Sequence, residues 1–252
     1  MSMKSKLIDV ICVTLEPNEK LVSLIESFRE WNNGLANLII KDGMSGSATQ
    51  SILERYKSDP SIFIFSWPDI NISDAFNQAL TFSESEYIMF MGDGDTFETK
   101  LNLKEVTQRQ NWVKYDVIAC RVNRVNIDDK VLHVYKTKQR FWKILLHYKM
   151  VFPHQGLVMS RKLFQNTGWF NLKCKYAMDY EYLLRINWRS TSLLASDYVI
   201  SNWLEDGIGN NNTLDVLSEY ESIRESTGYS YRLVNKICSK IARIKYNYEK
   251  RI

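Results

Sequence analysis

Two acidic residues, Asp93 and Asp95, stand one residue apart directly after an apolar run, 87–91. The run is typical of a buried strand, and in an open α/β sheet the loops at the carboxyl ends of strands bind ligands. Two carboxylates this close repel each other unless a cation or a donor-rich ligand lies between them. Oxygen ligands of this kind suit Mg²⁺ or Mn²⁺ shared with substrate phosphates, although Asp and Gly are also ordinary turn formers. The motif therefore indicates either a divalent-metal site for a phosphorylated substrate or a solvated turn.

Other polar residues follow predicted elements in the same way. Asp42 ends the predicted strand 35–41, where a carboxylate can accept hydrogen bonds from a base or from ribose hydroxyls. The simpler interpretation of Asp42 is a turn residue. The segment 67–80 carries three further polar side chains, Asp69, Asp74 and Asn77. In this segment Ser73 or Asp74 can instead cap a helix.

Two later segments add a histidine and two more acids. The segment 153–170 contains His154, and a lone histidine is more often structural than functional. In 175–186, Asp179 and Glu181 open a predicted helix, where the helix dipole alone already favours acidic residues. Glu181 lies about 200° around the helix from Asp179, so we expect the two carboxylates to face different surroundings.

The elements that must position these residues alternate along the first hundred residues. Strands are predicted at 7–15, 35–41, 62–67 and 87–91, and helices near 21–31, 47–57 and 73–83. Such alternation implies right-handed crossovers and a mostly parallel sheet flanked by helices. The sequence therefore predicts an α/β fold whose strand ends bring distant polar residues to one edge.

The second half of the chain is less regular. A hairpin is predicted from 115–125 and 131–136 around an Asp128-Asp129 turn. A late strand is predicted at 197–204, and helices at 139–149, 178–188, 213–226 and 230–249. We expect one main domain, 1–210, and a basic helical extension, 211–252, packed on it.

Composition narrows the class of protein. Apolar content of 45%, charged content of 25% and a net charge of +4 are ordinary for a globular protein. No run approaches the roughly 18 apolar residues of a membrane span, and the N-terminus lacks the features of a signal peptide. The four cysteines, Cys12, Cys120, Cys174 and Cys238, are far apart. They indicate reduced thiols in a cytoplasmic protein rather than a disulfide or zinc framework.

The polar clusters, taken in order, resemble those of a known enzyme family. They are ICVTLEPN, DGMSGSAT, PDINISDAFNQAL, GDGD, HQGLVMSRKLFQNTGWFN and AMDYEYLLRI. In this order they are similar to the motifs of family 2 inverting glycosyltransferases of the bacterial surface-polysaccharide type. The resemblance implies the GT-A fold, with a Rossmann-like, mostly parallel central sheet flanked by helices and with C-terminal helices. It also implies transfer from a nucleotide sugar.

The resemblance assigns five residues to the donor. Asp42 would contact the uracil or equivalent base of a UDP-sugar or related donor. Thr14 and Glu16 would line the same pocket. Asp69 and Asn77 would also contact the nucleotide sugar.

The resemblance assigns the remaining residues to the diphosphate and the chemistry. Asp95 would hold Mn²⁺ or Mg²⁺ on the diphosphate, and Asp93 would face the ribose or the metal. His154 would reach the diphosphate or the acceptor. Asp179 would be the general base that deprotonates the acceptor hydroxyl, so that attack from the opposite face inverts the anomeric centre.

The sequence departs from the family pattern at four positions. Ser47 stands where Asp is common, and Asn71 and Ala79 stand where Gly is common. Gly94 separates two acids that are adjacent in many relatives. These differences bear on sugar preference and on the division of labour between Asp93 and Asp95.

The C-terminal segment 230–252 combines basic residues with an apolar stripe. The basic residues are Arg232, Lys236, Lys240, Arg243, Lys245, Lys250 and Arg251, and the apolar positions are Val234, Ile237, Cys238, Ile241, Ile244 and Tyr248. A helix of this kind can lie on an anionic membrane surface, or it can pack on the domain with a solvated basic face. Membrane contact suits a lipid-linked glycan acceptor at the inner face of the cell membrane, as in O-antigen assembly. The basic residues carry no recognised nucleic-acid motif.

Two other functions fit part of the sequence. A haloacid-dehalogenase-type phosphatase also uses Asp-x-Asp after a strand, but near the N-terminus and with Thr or Val where Phe97 stands here. A non-catalytic sugar-nucleotide-binding subunit is the second, although an acid is present at every expected catalytic position. We predict a metal-dependent inverting glycosyltransferase that moves a sugar to a hydroxyl of a glycan.

Overall fold

The computed structural model describes residues 6–16, 19–137, 140–205, 213–227 and 232–249. Predicted bounds at 139, 210, 211 and 230, and the predicted basic residues Lys250 and Arg251, lie outside the described residues. The side chains of Arg232, Val234, Lys245 and Tyr248 also lie outside the described part of the molecule.

Strands and helices alternate in the first half, as predicted. The elements are β1 (Ile8–Thr14), α1 (Glu19–Trp31), β2 (Ala36–Asp42), α2 (Ser47–Glu54), β3 (Ile62–Ser66), α3 (Ile72–Leu80) and β4 (Tyr87–Gly92). The strands are the apolar runs of the sequence, and each helix returns the chain to start the next strand in the same direction.

The second half contains short and long elements in a less regular order. They are β5 (Thr96–Phe97), α4 (Leu103–Arg109), β6 (Val117–Val125), β7 (Val131–Tyr135), α5 (Trp142–Leu146), β8 (Leu157–Ser160), α6 (Arg161–Thr167), α7 (Met178–Arg185), β9 (Leu193–Leu204), α8 (Thr213–Thr227) and α9 (Arg232–Glu249). Two 3₁₀ turns, Trp112–Lys114 and His154–Gly156, connect some of them. The predicted hairpin is confirmed, because β6 and β7 pair antiparallel.

Four predicted helices, α2, α3, α5 and α7, each end three residues earlier than expected, and the backbone of α5 and α7 shows why their bounds differ. Helix α5 begins only after Phe141, whose φ of 61° lies in the left-handed region and interrupts a right-handed helix. Helix α7 ends at Arg185 rather than at 188, because Ile186 is already extended with ψ of 131°. The apolar periodicity of the sequence continues across both boundaries, so periodicity alone overestimates the helix lengths.

One sheet organises the molecule, with strand order β3-β2-β1-β4-β8-β6-β9-β5 and β7 paired to β6. Strands β1 to β4 are parallel to one another, whereas β8 runs antiparallel between β4 and β6. The two reversals leave β6 parallel to β4. The carboxyl ends of β1, β2, β4 and β6 therefore point to the same edge of the sheet.

Apolar side chains cover both faces of this sheet. In β1, Val10 and Cys12 belong to the core on one face, and Ile11 belongs to the core on the other. Met89 and Phe90 of β4 divide between the faces in the same way. Burial on both faces explains why these strands are continuous apolar runs instead of alternating patterns.

Helices α8 and α9 attach to the main body of the described chain. Tyr220 and Ile223 of α8 pack with the core that includes α7. Helix α9 contacts α8, and Arg224 Nη2 donates a 2.8 Å hydrogen bond to Ser239 Oγ between them. Among the described helices, none has the length and apolar content needed to cross a bilayer. The division of the chain at residue 210 stays a prediction.

Candidate active site

The carboxyl ends of β1, β2 and β4 lie side by side. Thr14 ends β1 and pairs in register with Asp42, the last residue of β2, while Val13 pairs with Gly92 at the end of β4. Asp93 follows directly, and its Oδ2 accepts a 2.7 Å hydrogen bond from Thr14 Oγ1. The parallel register thus brings three residues of the predicted site together.

Asp42 is fully buried and held by its own loop. The backbone N–H of Ser45 donates to both carboxylate oxygens at 3.2 Å, and the Ser45 hydroxyl donates to Oδ1. Gln50 Nε2 donates to Oδ2 at 2.7 Å. These hydrogen bonds fix the orientation of the carboxylate. Gln50 was not singled out in the sequence, because its contribution depends on where α2 packs.

Glu16 ties the loop after β1 to the loop after β2. Its φ of 49° lies in the left-handed region, which few residues other than glycine adopt. Its N–H donates to Ser45 Oγ at 2.8 Å, and its Oε1 accepts a 2.7 Å hydrogen bond from the N–H of Gly46. The two loops that carry Thr14, Glu16 and Asp42 therefore form one connected unit.

Asp69 forms an ion pair with Lys41 of β2. The Lys41 side chain is fully buried, and a buried ammonium is tolerated only with a partner of opposite charge. A Cβ added to Gly43 would lie 3.2 Å from Asp69 Oδ2, so Asp69 also borders the loop after Asp42. The ion pair places Asp69 beside the predicted base pocket. Lys41 was missed in the sequence because a single lysine inside an apolar strand carries no signal for its partner.

The Asp93–Asp95 pair lies at the end of β4, largely removed from solvent. Asp95 is only 4% exposed and accepts hydrogen bonds from the N–H groups of Gly92 (2.9 Å) and Leu204 (3.2 Å). Burial raises the pKa of both carboxyls, although hydrogen bonds and nearby cations partly offset this effect. Burial also raises the pKa of the Cys12 thiol, and the charges of Asp93 and Asp95 add to this effect.

These carboxylates fit a divalent cation that also binds a ligand. In the parts of the chain that the structure describes, no group of three or more His, Cys, Asp or Glu side chains forms a complete metal site. Mg²⁺ and Mn²⁺ commonly take one or two carboxylates and complete their coordination with water and phosphate oxygens. Asp95 is buried and Asp93 is partly buried, and their carboxylates offer the oxygen ligands that such an ion takes.

His154 connects the predicted base to the acidic pair. Its Nδ1 lies 3.2 Å from Asp179 Oδ2. Burial disfavours the protonated imidazole, but the hydrogen bond and charge of Asp179 and the charge of Asp95 together raise the pKa of His154. The next residue, Gln155, hydrogen-bonds to Asp95 through its side chain. The 3₁₀ turn therefore bridges the two acidic parts of the site.

Asp179 and Glu181 have different surroundings, as their helical spacing predicts. Asp179 lies in the first turn of α7, and its Oδ1 accepts a 2.7 Å hydrogen bond from the N–H of Tyr180. Glu181 is buried and accepts from Arg185 Nε at 2.9 Å. Arg185 in turn donates to the backbone oxygens of Thr167 and Trp169. Glu181 is thus engaged in an internal ion pair, which leaves Asp179 as the acid beside His154.

A small apolar cavity of about 10 Å³ borders His154 and Asp179. Its other walls are Phe76, Phe90, Leu157, Met159, Phe170, Met178, Tyr182 and Leu183. Apart from His154 and Asp179 its walls carry almost no polar groups, so this side of the pair offers a water molecule few hydrogen-bond partners.

Asn77 occupies a structural position. Its Nδ2 donates to the backbone oxygen of Phe170 at 2.9 Å, and its Oδ1 accepts from the N–H of Phe170 at 2.9 Å. Both halves of the amide are used inside the protein, which favours a structural role over the predicted contact with the nucleotide sugar.

The start of α3 is capped by Asn71. The Asn71 side chain accepts from the N–H of Asp74, and Asp74 Oδ2 accepts from the N–H of Ile70 at 3.1 Å. Asp74 therefore takes part in capping, which was the alternative to a binding role, whereas Ser73 donates instead to the backbone oxygen of Cys174. The residue that departs from the family pattern at position 71 is the one that caps the helix.

The comparison with protein families decides the classification. Residues 9–168 match the family model described as Glycosyl transferase family 2. The chain belongs to glycosyl transferase family 2. The predicted resemblance is confirmed, and the membership replaces the phosphatase alternative. No curated protein sequence matches the chain.

Solved structures share the fold of this glycosyltransferase. TarS 1–349 from S. aureus in complex with UDP-GlcNAc gives a TM-score of 0.65 at 13% identity, covering 92% of this chain and 70% of that chain. The mannosyltransferase PcManGT from Pyrobaculum calidifontis, in complex with GDP-Man and Mn²⁺, gives 0.65 at 13% identity over 95% and 70%. A longer S. aureus TarS structure gives 0.62 at 15% identity over 85% of this chain and 39% of that chain. The chain therefore has the GT-A fold, as predicted.

Proposed function

We propose that this glycosyltransferase is metal-dependent and inverting, and that it moves a sugar from a nucleotide diphosphate sugar to an acceptor hydroxyl. One observation supports the proposal above others. Asp42, the Asp93–Asp95 pair and Asp179 follow one another along the sheet edge through the contacts that Thr14 and His154 make. A nucleotide sugar consists of a base, a diphosphate and a reacting sugar in that order. The residues that bind these three parts must therefore follow one another in the same spatial order.

The base of the donor would lie against Asp42, with Thr14, Glu16 and Asp69 around it. The hydrogen bonds that join these loops support a shared pocket. Two proteins of the same fold bind nucleotide sugars, since TarS was solved with UDP-GlcNAc and PcManGT with GDP-Man. A UDP-sugar is our first candidate for the donor, because TarS was also solved with UDP.

Asp95 and Asp93 would hold Mn²⁺ or Mg²⁺. When bound, the cation would neutralise the negative charge that develops on the leaving diphosphate. The raised pKa values of both carboxyls and the Mn²⁺ in the PcManGT complex support this assignment. The raised pKa of His154 favours its protonated imidazole, and this positive charge would also suit the diphosphate.

Asp179 would act as the general base. It would remove the proton of the acceptor hydroxyl while the oxygen attacks the anomeric carbon from the face opposite the diphosphate. The anomeric centre passes through an oxocarbenium-like state, as in glycoside hydrolysis, and its configuration inverts. The contact with His154 orients the Asp179 carboxylate.

Donor binding and transfer test this proposal together. The full chain is mixed with Mn²⁺ and a panel of UDP- and GDP-sugars, and thermal unfolding and nucleotide release are followed. We expect at least one donor to raise the unfolding temperature only when the cation is present, and to release nucleotide. If no nucleotide sugar or nucleoside diphosphate stabilises the protein, the donor assignment fails. If donors bind but no nucleotide is released with any acceptor glycan, the protein is a non-catalytic subunit.

The acceptor would be a lipid-linked glycan of surface-polysaccharide or O-antigen assembly, met at the inner face of the cell membrane. The orientation of α9 supports this part of the proposal. Among its described side chains the buried ones are the polar Asn235 and Ser239, and Ser239 accepts a hydrogen bond from Arg224 of α8. Its isoleucines Ile237, Ile241 and Ile244 are 49%, 61% and 59% exposed. In the described part of α9, the buried side is therefore polar and an apolar stripe faces outward.

An anionic bilayer is the partner that fits this stripe. Lys236 and Lys240 are exposed beside the isoleucines, so apolar and basic groups share one side of the helix. Each Lys near an anionic surface contributes about 1 kcal/mol to binding, and the isoleucines gain by leaving water. A protein partner would gain little from the lysines unless its own surface were acidic.

Vesicle sedimentation tests the membrane contact. We expect the protein to bind vesicles that contain phosphatidylglycerol and to bind pure phosphatidylcholine weakly. Ile241→Ser with Ile244→Ser should reduce binding strongly, whereas Ile127→Ser, at an exposed isoleucine of the β6–β7 connection, serves as the matched control. Equal binding by both variants would exclude α9 as the contact.

A further inference from the structure

Glu219 of α8 binds the segment that leads into α7. Its Oε1 accepts hydrogen bonds from the N–H groups of Lys175 at 2.9 Å and Ala177 at 3.2 Å. Both of its oxygens accept from the N–H of Tyr176, at 3.3 and 3.2 Å. One carboxylate thus satisfies three consecutive backbone donors just before Asp179.

Helix α7 has no such partner of its own. Ala177 occupies the N-cap position, where no side-chain hydrogen bond caps the helix. Ser, Thr, Asp or Asn normally fills this position, because the first N–H groups of a helix lack partners inside the helix. A negative charge near a helix N-terminus is favourable as well. Glu219 supplies, from a later helix, an acceptor for the N–H of the N-cap residue Ala177, and it adds to the negative charge of Asp179 and Glu181 at this terminus.

The neighbouring residue of α8, Tyr220, contacts Tyr180, the residue after Asp179. The Tyr220 ring packs edge-on against the Tyr180 ring, with 4.6 Å between centroids, and Tyr180 is fully buried. Glu219 therefore holds the backbone before Asp179, and Tyr220 holds the residue after it. Two adjacent residues of α8 fix both flanks of the proposed base.

We infer that Glu219 is a positioning residue for sugar transfer, acting through Asp179. By holding the backbone at 175–177, it sets where the Asp179 carboxylate lies relative to the acceptor hydroxyl. The inference rests on the proposed role of Asp179. It makes α8 a part of the catalytic apparatus, although α8 contributes no group to the reacting atoms.

Substitutions of Glu219 separate positioning from folding. Displacing a catalytic group by about 1 Å can reduce the rate about 10²-fold, so we expect Glu219→Ala to lower kcat by about 10-fold to 100-fold. The KM for the donor should stay unchanged, because the residues proposed to bind the donor follow strands of the sheet and are not held by Glu219. Glu219→Gln should lose less, since its amide oxygen still accepts N–H bonds. Glu225→Ala, an exposed acid on the same helix, is the matched control and should behave as wild type.

Two further measurements do not depend on a simple loss of activity. Amide hydrogen exchange at 175–177 should accelerate in Glu219→Ala while the unfolding temperature changes little. In the Asp179→Asn background, Glu219→Ala should add almost no further loss of kcat, because both changes act on one group. Unchanged exchange, an unchanged kcat or fully additive losses would each overturn the inference and leave the proposed function standing. A wild-type chain that transfers from no donor would instead count against the proposed function.

Discussion

Asp179 is the residue on which the proposed chemistry depends most directly. Asp179→Asn keeps the shape of the side chain and an oxygen that can accept the Tyr180 N–H, but it cannot take a proton. We expect transfer to fall about 10²-fold to 10⁴-fold, the usual contribution of a general base. Donor affinity should stay close to that of wild type. Transfer kinetics and donor calorimetry measure the two quantities separately.

The control for this change is Asp215→Asn, at an exposed acid in the first turn of α8. It removes one negative charge without touching the site, so transfer should be unaffected. Wild-type transfer by Asp179→Asn would remove Asp179 as the base, and loss of donor binding in that variant would indicate a role in the pocket instead.

The raised pKa values of Asp93 and Asp95 predict how cation binding depends on pH. Both carboxyls must be ionised to bind Mn²⁺, and burial makes protons compete at a higher pH than for an ordinary carboxyl. Affinity should be full above the raised pKa values and fall as the pH drops through them. Below the raised pKa values, Mn²⁺ must displace protons from the carboxyls. Each displaced proton lowers the Mn²⁺ affinity about tenfold for every unit by which the pH falls. Calorimetric titration of Mn²⁺ in the presence of UDP, across a pH series, measures this slope.

A comparison at each pH with UDP alone separates the cation from the nucleotide. If the Mn²⁺ affinity stayed constant until the pH dropped to the ordinary pKa range of a carboxyl, the electrostatic description of Asp93 and Asp95 would be wrong.

At the scale of elements, Gly156 controls how the 3₁₀ turn with His154 meets the sheet. A Cβ at this position would lie 2.5 Å from the backbone oxygen of Cys120 and 2.6 Å from Val122 Cγ2. Backbone cannot yield as a flexible side chain does, so Gly156→Ala must displace the turn from β6. We expect a loss of about 1–3 kcal/mol in the free energy of unfolding, typical of overpacking, and a loss of transfer through His154. Urea denaturation measures the first effect.

Gly46→Ala provides the comparison for stability. Its added Cβ would meet only the Glu16 carboxylate, with Oε1 nearest at the ordinary distance of 3.4 Å, and its φ is −68°. The free energy of unfolding should therefore stay near the wild-type value. Equal stability of both glycine variants would mean that β6 adjusts more readily than its packing indicates.

The elements recognisable from the sequence were the long ones. Strands β1, β2 and β4 are buried on both faces and have clear apolar runs. The sequence analysis missed β5, α4, β8 and α6, which span from two to seven residues. Elements of that length hold too few residues to show a period. Strand β8 forms because it pairs with both β4 and β6, which lie on either side of it.

For the whole molecule, salt should distinguish two parts of the membrane contact. The Debye length falls from about 10 Å at 0.1 M salt to about 3 Å at 1 M. Binding to vesicles with phosphatidylglycerol should therefore weaken strongly as salt is raised, while the isoleucine contribution persists. Lys236→Gln with Lys240→Gln should reduce the salt dependence, as measured by sedimentation. Salt-independent binding would assign the contact to the isoleucines alone.

By itself, the sequence determined the α/β class, the family and the order of Asp42, Asp93, Asp95 and Asp179 along the chain. These properties are local, because apolar runs report burial and short motifs report loop chemistry. Only the tertiary structure decided which side chains meet: Lys41 with Asp69, His154 with Asp179, Glu219 with 175–177, and the outward side of α9. These contacts join residues from separate elements, or depend on which face of a helix is packed. No local pattern records such a partner, since it is set by how the faces of the sheet and helices pack against one another.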